Sequence, residues 1–178
     1  MPHIPILPPD QASKDSRAVY DEFYRRMQFP APPNFIMTQG HSSYVARGTW
    51  ELVKNVLVGG EIARWKKEMI FVAISKERNC RYCLAAHIAC CRMLGVDVEQ
   101  SLKMQAVADP TLSDMILFAM KCARDPQALT SDDYDGLRGH GISQTQIMEL
   151  ISMAALAVYA NIIADATAME PDTMFDSL

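Results

Sequence analysis

The sequence predicts an all-α fold. Apolar residues recur at spacings of three and four through every long segment, and cap and terminator residues punctuate the chain at helix-length intervals. No stretch alternates apolar and polar residues as a half-buried strand does. A chain of 178 residues fits one domain with a sizeable core.

Residues 1–33 read as an arm with one short helix. Ser13 or Asp15 caps it, Val19, Phe23 and Met27 share a face, and the proline-rich run from Phe29 to Pro33 ends it. Such an arm is expected to wrap a neighbouring subunit or its own core. Residues 34–171 form the helical domain. Phe35 to Val58 reads as helix bent near Gly40 and Gly48 and stopped by Gly59 and Gly60. Glu61 to Arg78 follows, with Ile62, Trp65, Met69 and Val72 at helical spacing, and Asn79 suits a left-handed terminator. Cys80 to Leu94 closes at Gly95.

Asp97 with Gln100 resembles a capping box for a helix through Ala108, and Asp109–Pro110 breaks the chain. Ser113 is expected to cap a helix to Arg124, ended by Asp125–Pro126. Thr130 opens a short helix, and Ser143 with Gln146 caps a last long helix to about Met169. Residues 172–178 read as a loose tail.

An internal repeat supports this architecture. A shift of 46 residues lays Met69–Ala73 on Met115–Ala119, Arg78 on Arg124, Gly95 on Gly141 and Gln100 on Gln146. The repeat units are about 61–108 and 107–154. Cys80, Cys83 and His87 fall on Pro126, Leu129 and Asp133, so the thiols and the imidazole belong to one copy only.

A net charge of -4 with scattered basic residues argues against nucleic-acid binding. Apolar runs fall short of the roughly 20 residues that span a bilayer, and the proline-rich N-terminus lacks a signal-peptide layout. A soluble cytoplasmic protein without membrane association is expected. Five cysteines, an odd number with Cys83, Cys90 and Cys91 crowded together, are poor material for a secreted disulfide framework. In a reducing compartment a close pair points to redox chemistry or metal.

If a helix starts near Cys80, then Cys80, Cys83 and His87 lie on one stripe. Unpaired N–H groups and the helix dipole there stabilise a thiolate on Cys80, and two cysteines one turn apart can close a disulfide. His87 can take the Cys83 proton directly or through a water. Glu68, on the preceding helix among Trp65, Phe71 and Val72, would orient the imidazole if the helices return antiparallel. Arg81 adds positive potential. Helix-end logic makes Cys80 the exposed thiol that meets a partner protein, so which sulfur attacks first stays open. A zinc site on Cys80, Cys83 and His87 needs a fourth ligand such as His41 or His140. Cys90 and Cys91 read as small buried apolar residues, Cys122 as core, and Met115, Met120, Met148 and Met153 as core filler.

The pattern Glu68, eleven residues, Cys80-x-x-Cys83-x-x-x-His87 resembles the signature of the alkyl hydroperoxidase D family, within the carboxymuconolactone decarboxylase superfamily. The resemblance runs from about Pro33 to Pro171, takes in Gly95-Val96-Asp97 and Asn161-Ile162-Ile163-Ala164-Asp165, and is nearest the peroxidase-related branch. It implies an all-helical, repeated fold assembled as trimers or hexamers. It also implies a peroxidase in which Glu68 and His87 activate Cys83 to attack a hydroperoxide and Cys80 resolves the sulfenic acid. No bound cofactor is implied; a lipoyl or thioredoxin-type thiol partner regenerates the pair. Tyr82 departs from the family pattern, which has a second histidine between the cysteines, and tyrosine is no base near neutral pH. Other readings are a thiol oxidant sensor or adaptor on a helical oligomer, a muconolactone decarboxylase and a zinc module.

Overall fold

The computed structural model describes residues 2–96, 98 and 109–178. The expected capping box at Asp97 and Gln100, and most of the helix it opens, lie outside the described residues. Among the described residues there are eight α-helices and no strand.

Helix α1 (Lys14–Met27) starts where the Ser13 hydroxyl accepts the Ser16 N–H at 3.1 Å, so Ser13 and not Asp15 is the cap. Its buried face, Val19, Tyr20, Phe23 and Met27, packs on the chain's own core. The arm is tied down by Tyr20, whose hydroxyl lies 3.2 Å from the Leu7 carbonyl and 3.1 Å from that of Met37.

Helices α2 (Asn34–Gln39) and α3 (Ser43–Leu52) divide at Gly40, where a Cβ would lie 1.5 Å from the Tyr20 hydroxyl. Gly48 makes no bend, in contrast to the expectation. Ser42 caps α3 and sets the break, and Gly48 sits inside the helix beside open space. The chain then runs on as a π-helical turn, Val53–Val58.

Helix α4 (Arg64–Glu77) is the centre of the molecule, with Lys67 through Val72 all buried. It begins three residues later than its periodicity suggests. The Glu149 carboxylate accepts the backbone N–H groups of Glu61 and Ile62, at 2.6 and 3.1 Å, and holds those residues out of the helix. The Lys67 ammonium is wholly buried. It donates to the carbonyls of Val56 (2.8 Å) and Gly59 (2.5 Å) and pairs with Glu149 at 2.7 Å, a set of partners that compensates burial of its charge.

Helix α5 (Arg81–Met93) returns alongside α4. Helix α6 (Pro110–Arg124) is capped by Asp109, whose side chain accepts from Thr111 and Leu112, so Ser113 is not the cap. Proline at the first helical position starts a helix as readily as it breaks one, because its missing N–H is an orphan there anyway. Thr130 and the Ser143–Gln146 capping box open α7 (Ser131–Gly139) and α8 (Gln144–Ala166) as expected, and Thr130 adds a capping box with Asp133. Helices α4 and α6 begin 46 residues apart, and Gly95 and Gly141, the same offset apart, share a left-handed backbone with φ of 75° and 77°.

Helix α8 is long and apolar enough by length and composition to cross a membrane, in contrast to the expectation; half of its most apolar 18-residue window is buried against the rest of the chain. Met148 on this helix is exposed rather than core filler.

The C-terminal residues are not loose. Asp172 accepts the backbone N–H of Asn34, and Phe175, in a short 3-10 turn (Thr173–Asp176), is buried against Phe29 and Tyr82.

Candidate active site

Asn79, with φ of 58°, makes the sharp turn from α4 into α5, a conformation asparagine tolerates. The turn closes through the Cys80 N–H, which donates to the Ser75 carbonyl at 3.0 Å. Cys80 is therefore the N-cap of α5, and Cys83 lies in the first turn. The two cysteines thus sit one helical turn apart, at the cap and in the first turn. Cys80 is 0 % exposed and Cys83 2 %, so Cys80 is not the exposed thiol that helix-end logic suggested. Both cysteines lie in the main hydrophobic core.

Cys80 beside it, and then burial, hold the Cys83 thiol well above the usual cysteine range; the Asn161 amide acts in the opposite direction. A base is therefore needed to draw its proton. One turn further along the stripe His87 stacks on Phe71, with ring centroids 3.5 Å apart and planes at 16°. Its Nδ1 lies 2.5 Å from Oε2 of Glu68, a wholly buried carboxylate whose other oxygen accepts from Arg64 Nε at 3.0 Å. A carboxylate only accepts, so Nδ1 carries the proton and Nε2 is left as the basic nitrogen.

The structure thus sets Cys80 beside Cys83 and Glu68 beside His87, and one member of each pair, Cys83 and His87, lines a single cavity. This space of about 50 Å³ is lined by Cys83, His87 and Cys90 and walled by phenylalanines, among them Phe71 and Phe175. Cys90 is more than filler: its sulfur, the Glu68 carboxylate and a His87 ring nitrogen all lie within 4.8 Å of one another. Burial, with the neighbouring Glu68 charge, pushes the Cys90 thiol up, and Cys91 is raised to about 12 for the same reasons. Among the described residues, those that could gather round a metal are Glu68, His87 and Cys90; the cysteine pair with His87, the set the alternative zinc reading needs, is not such a group. Arg64 already occupies that carboxylate. His41 bonds the Pro5 carbonyl and His140 bonds Asp114, both away from the thiols. Arg81 lies exposed at the start of α5.

Tyr82 is anchored by a job outside the cavity chemistry. Its hydroxyl donates to Asp172 Oδ2 at 2.7 Å and accepts the Phe35 N–H at 3.0 Å. Asn161, on α8, is part of the stretch that carries the family resemblance but has no role assigned from sequence. Its amide Nδ2 donates to Ser75 Oγ at 3.1 Å. The signal was a lone amide in the middle of an otherwise apolar helix.

No family model matches the chain, and no curated protein matches it. Solved structures do. An alkylhydroperoxidase AhpD-core, peroxidase-related protein from Ralstonia eutropha JMP134 superposes with a TM-score of 0.87 at 23% identity, over 98% of this chain and 94% of that one. The chain has the AhpD-core fold. A peroxidase-related protein from Silicibacter sp. TM1040 gives 0.85 at 24% identity with the same coverage. The debrominase Bmp8, in a cysteine-to-alanine variant bound to 2,3,4-tribromopyrrole, gives 0.82 at 18% identity, again over 98% and 94% of the two chains. At these identities the likeness establishes the fold. What this AhpD-core chain does rests on its own side chains.

Proposed function

We propose that the protein is a thiol-dependent peroxidase and thiol–disulfide oxidoreductase. The observation that carries this reading is that Cys83, one turn from Cys80, and a Glu68-oriented imidazole line the same small apolar cavity. His87 Nε2 takes the Cys83 proton. The thiolate sulfur attacks the terminal oxygen of a hydroperoxide, the S–O bond forms, the O–O bond breaks, and the leaving alkoxide takes the proton from His87. Cys80, giving up its own proton to the departing hydroxide, then attacks the Cys83 sulfenic acid; the S–S bond forms, the S–O bond breaks, and water leaves. Two thiols and one hydroperoxide become a disulfide, an alcohol and water. An external dithiol of lipoyl or thioredoxin type returns the pair to its reduced state, with no bound cofactor.

Cys83 lines the cavity and Cys80 does not, which favours Cys83 as the attacking sulfur. A space of about 50 Å³ holds only a few waters at roughly 10–15 Å³ each, so it suits hydrogen peroxide or a short alkyl hydroperoxide. Exposed apolar side chains at Tyr44, Leu117, Met148 and Ile162 support a homo-oligomer, a trimer or hexamer, and the free cysteines suit the cytoplasm.

A second reading is reductive dehalogenation of a small aromatic, in which the dithiol and an aryl halide become a disulfide, the arene and hydrogen halide. The phenylalanine walls and the likeness to a debrominase favour it. The cavity must widen for such a ring, which makes it the weaker of the two. Steady-state consumption of hydrogen peroxide with dihydrolipoamide as reductant tests the first reading and separates it from a thiol sensor without turnover. Turnover lost in Cys83→Ser supports it; a stoichiometric single event, or turnover with tribromopyrrole only, overturns it.

A further inference from the structure

Most of the cavity beside Cys83 is walled by helices: Phe23 stands on α1, Phe71 on α4 and Leu156 on α8. One wall differs. Phe175 comes from the four-residue turn Thr173–Asp176, and its buried ring lines the cavity. Thr173 and Asp176, on the same turn, are exposed. At this side a single turn of backbone therefore separates the space around the thiol from solvent.

The turn is lightly held. Among the described residues its backbone hydrogen bonds close within the segment, Phe175 N–H to the Asp172 carbonyl at 3.1 Å and Ser177 N–H to that of Met174 at 3.2 Å. The Asp172 carboxylate ties it to the body, accepting the Tyr82 hydroxyl at 2.7 Å and the Asn34 N–H at 3.0 Å. The Phe175 ring adds contacts to Phe29 and Tyr82, with centroids 5.9 Å apart in each case, and Met174 and Leu178 are half-buried beside it. Segments with so few bonds to their surroundings open at lower cost than the packed helices around them.

We propose that Phe175 is a specificity-determining residue: its ring closes the cavity to hydroperoxides carrying a bulky aryl group and leaves room for hydrogen peroxide and short alkyl hydroperoxides. The inference rests on the peroxidase reading above and names the wall that sets its substrate class. Cys83 is buried, so whatever reaches its sulfur has to fit the space of about 50 Å³ that this ring bounds. A single methylene in an apolar pocket changes selectivity by about 10–200-fold, and a whole aromatic ring removed from the wall is a larger change than that. The helical walls are fixed by close packing, which leaves the turn as the wall whose side chain decides the size admitted.

The test uses the full chain and two readouts. The first needs no peroxide: reduced protein is labelled with N-methylmaleimide or with the bulky pyrenylmaleimide, and peptide mass mapping gives both rates at Cys83. Phe175→Ala should raise the bulky-to-small rate ratio by at least about tenfold, and the milder Phe175→Leu should raise it by less. Cys122, on α6 and outside the cavity lining, is the internal control, and its ratio should stay level. The second readout is kcat/KM for cumene hydroperoxide relative to hydrogen peroxide, with dihydrolipoamide as reductant, and it should rise in the same order. An unchanged Cys83 ratio in both variants overturns the inference, and so does a Cys122 ratio that climbs in step with it. Should Phe175→Ala not fold, Phe175→Leu decides by the same labelling. If the parent protein turns over neither hydroperoxide, the peroxidase reading fails, while the labelling ratio still decides whether Phe175 limits access to Cys83.

Discussion

Nδ1 of His87 lies 2.5 Å from Oε2 of Glu68, and neither side chain is free to turn away. The imidazole is pinned by its stack on Phe71, and the carboxylate by Arg64. An oriented base of this kind contributes typically 10²–10⁴-fold to a proton transfer. Disulfide formation by His87→Ala should slow by about that factor near neutral pH. The deficit should shrink as pH rises and Cys83 ionises unaided, and stopped-flow consumption of peroxide across pH measures this.

Cys80 is the first cause of the raised Cys83 pKa, ahead of burial. Cys80→Ser should therefore move the Cys83 labelling midpoint down, despite leaving the helix and the cavity in place. Site-resolved alkylation at a series of pH values reads the change. A midpoint unmoved or raised by the substitution contradicts this influence of Cys80 on Cys83.

Two glycines with similar sequence signals should respond oppositely to alanine. At Gly40 a Cβ collides with the Tyr20 hydroxyl, which secures the arm to Leu7 and Met37. Gly40→Ala should cost about 1–3 kcal/mol, as overpacking does. At Gly48 there is open space inside a regular helix, and Gly48→Ala should stabilise by about 0.5–1 kcal/mol. Urea denaturation of the two variants compares them directly.

Asp172 ties the C-terminal turn to Tyr82, and its pKa is raised above the ordinary carboxylate value, chiefly by burial. A raised native pKa means the folded protein holds the proton more tightly than the unfolded chain. The contribution is then most favourable below the unfolded-state value and is lost as pH rises through the folded one. Relative to Asp172→Asn, the wild-type Tm should fall as pH is raised from the unfolded-state value through that window. Scanning calorimetry on both proteins checks the sign.

The candidate site was largely legible because spacing alone puts Cys80, Cys83 and His87 on one stripe, and Glu68 one helix earlier. Caps such as Ser143 with Gln146 were legible for the same local reason. Asp109 was misread because proline both stops a helix and starts one, and the local sequence does not choose. Cys80 reads as exposed because a helix terminus usually is; its burial in the main core is set by tertiary packing, which no local pattern announces. The Asp172–Tyr82 bond and the Asn161–Ser75 bond span 90 and 86 residues, and no local pattern announces a polar pair that meets only after folding. Gly48 failed as a bend because the neighbouring Ser42 hydroxyl fixes the helix start instead.

The central claim is that Cys80 and Cys83 work as one dithiol at the His87 cavity. Peptide mass mapping after one equivalent of hydrogen peroxide, with free thiols blocked on quenching, tests it most directly. The expected product is a single Cys80–Cys83 disulfide per chain, with Cys90, Cys91 and Cys122 still labelled once the protein is unfolded. Cys80 and Cys83 both recovered as free thiols, or a disulfide that draws in Cys90, would contradict it.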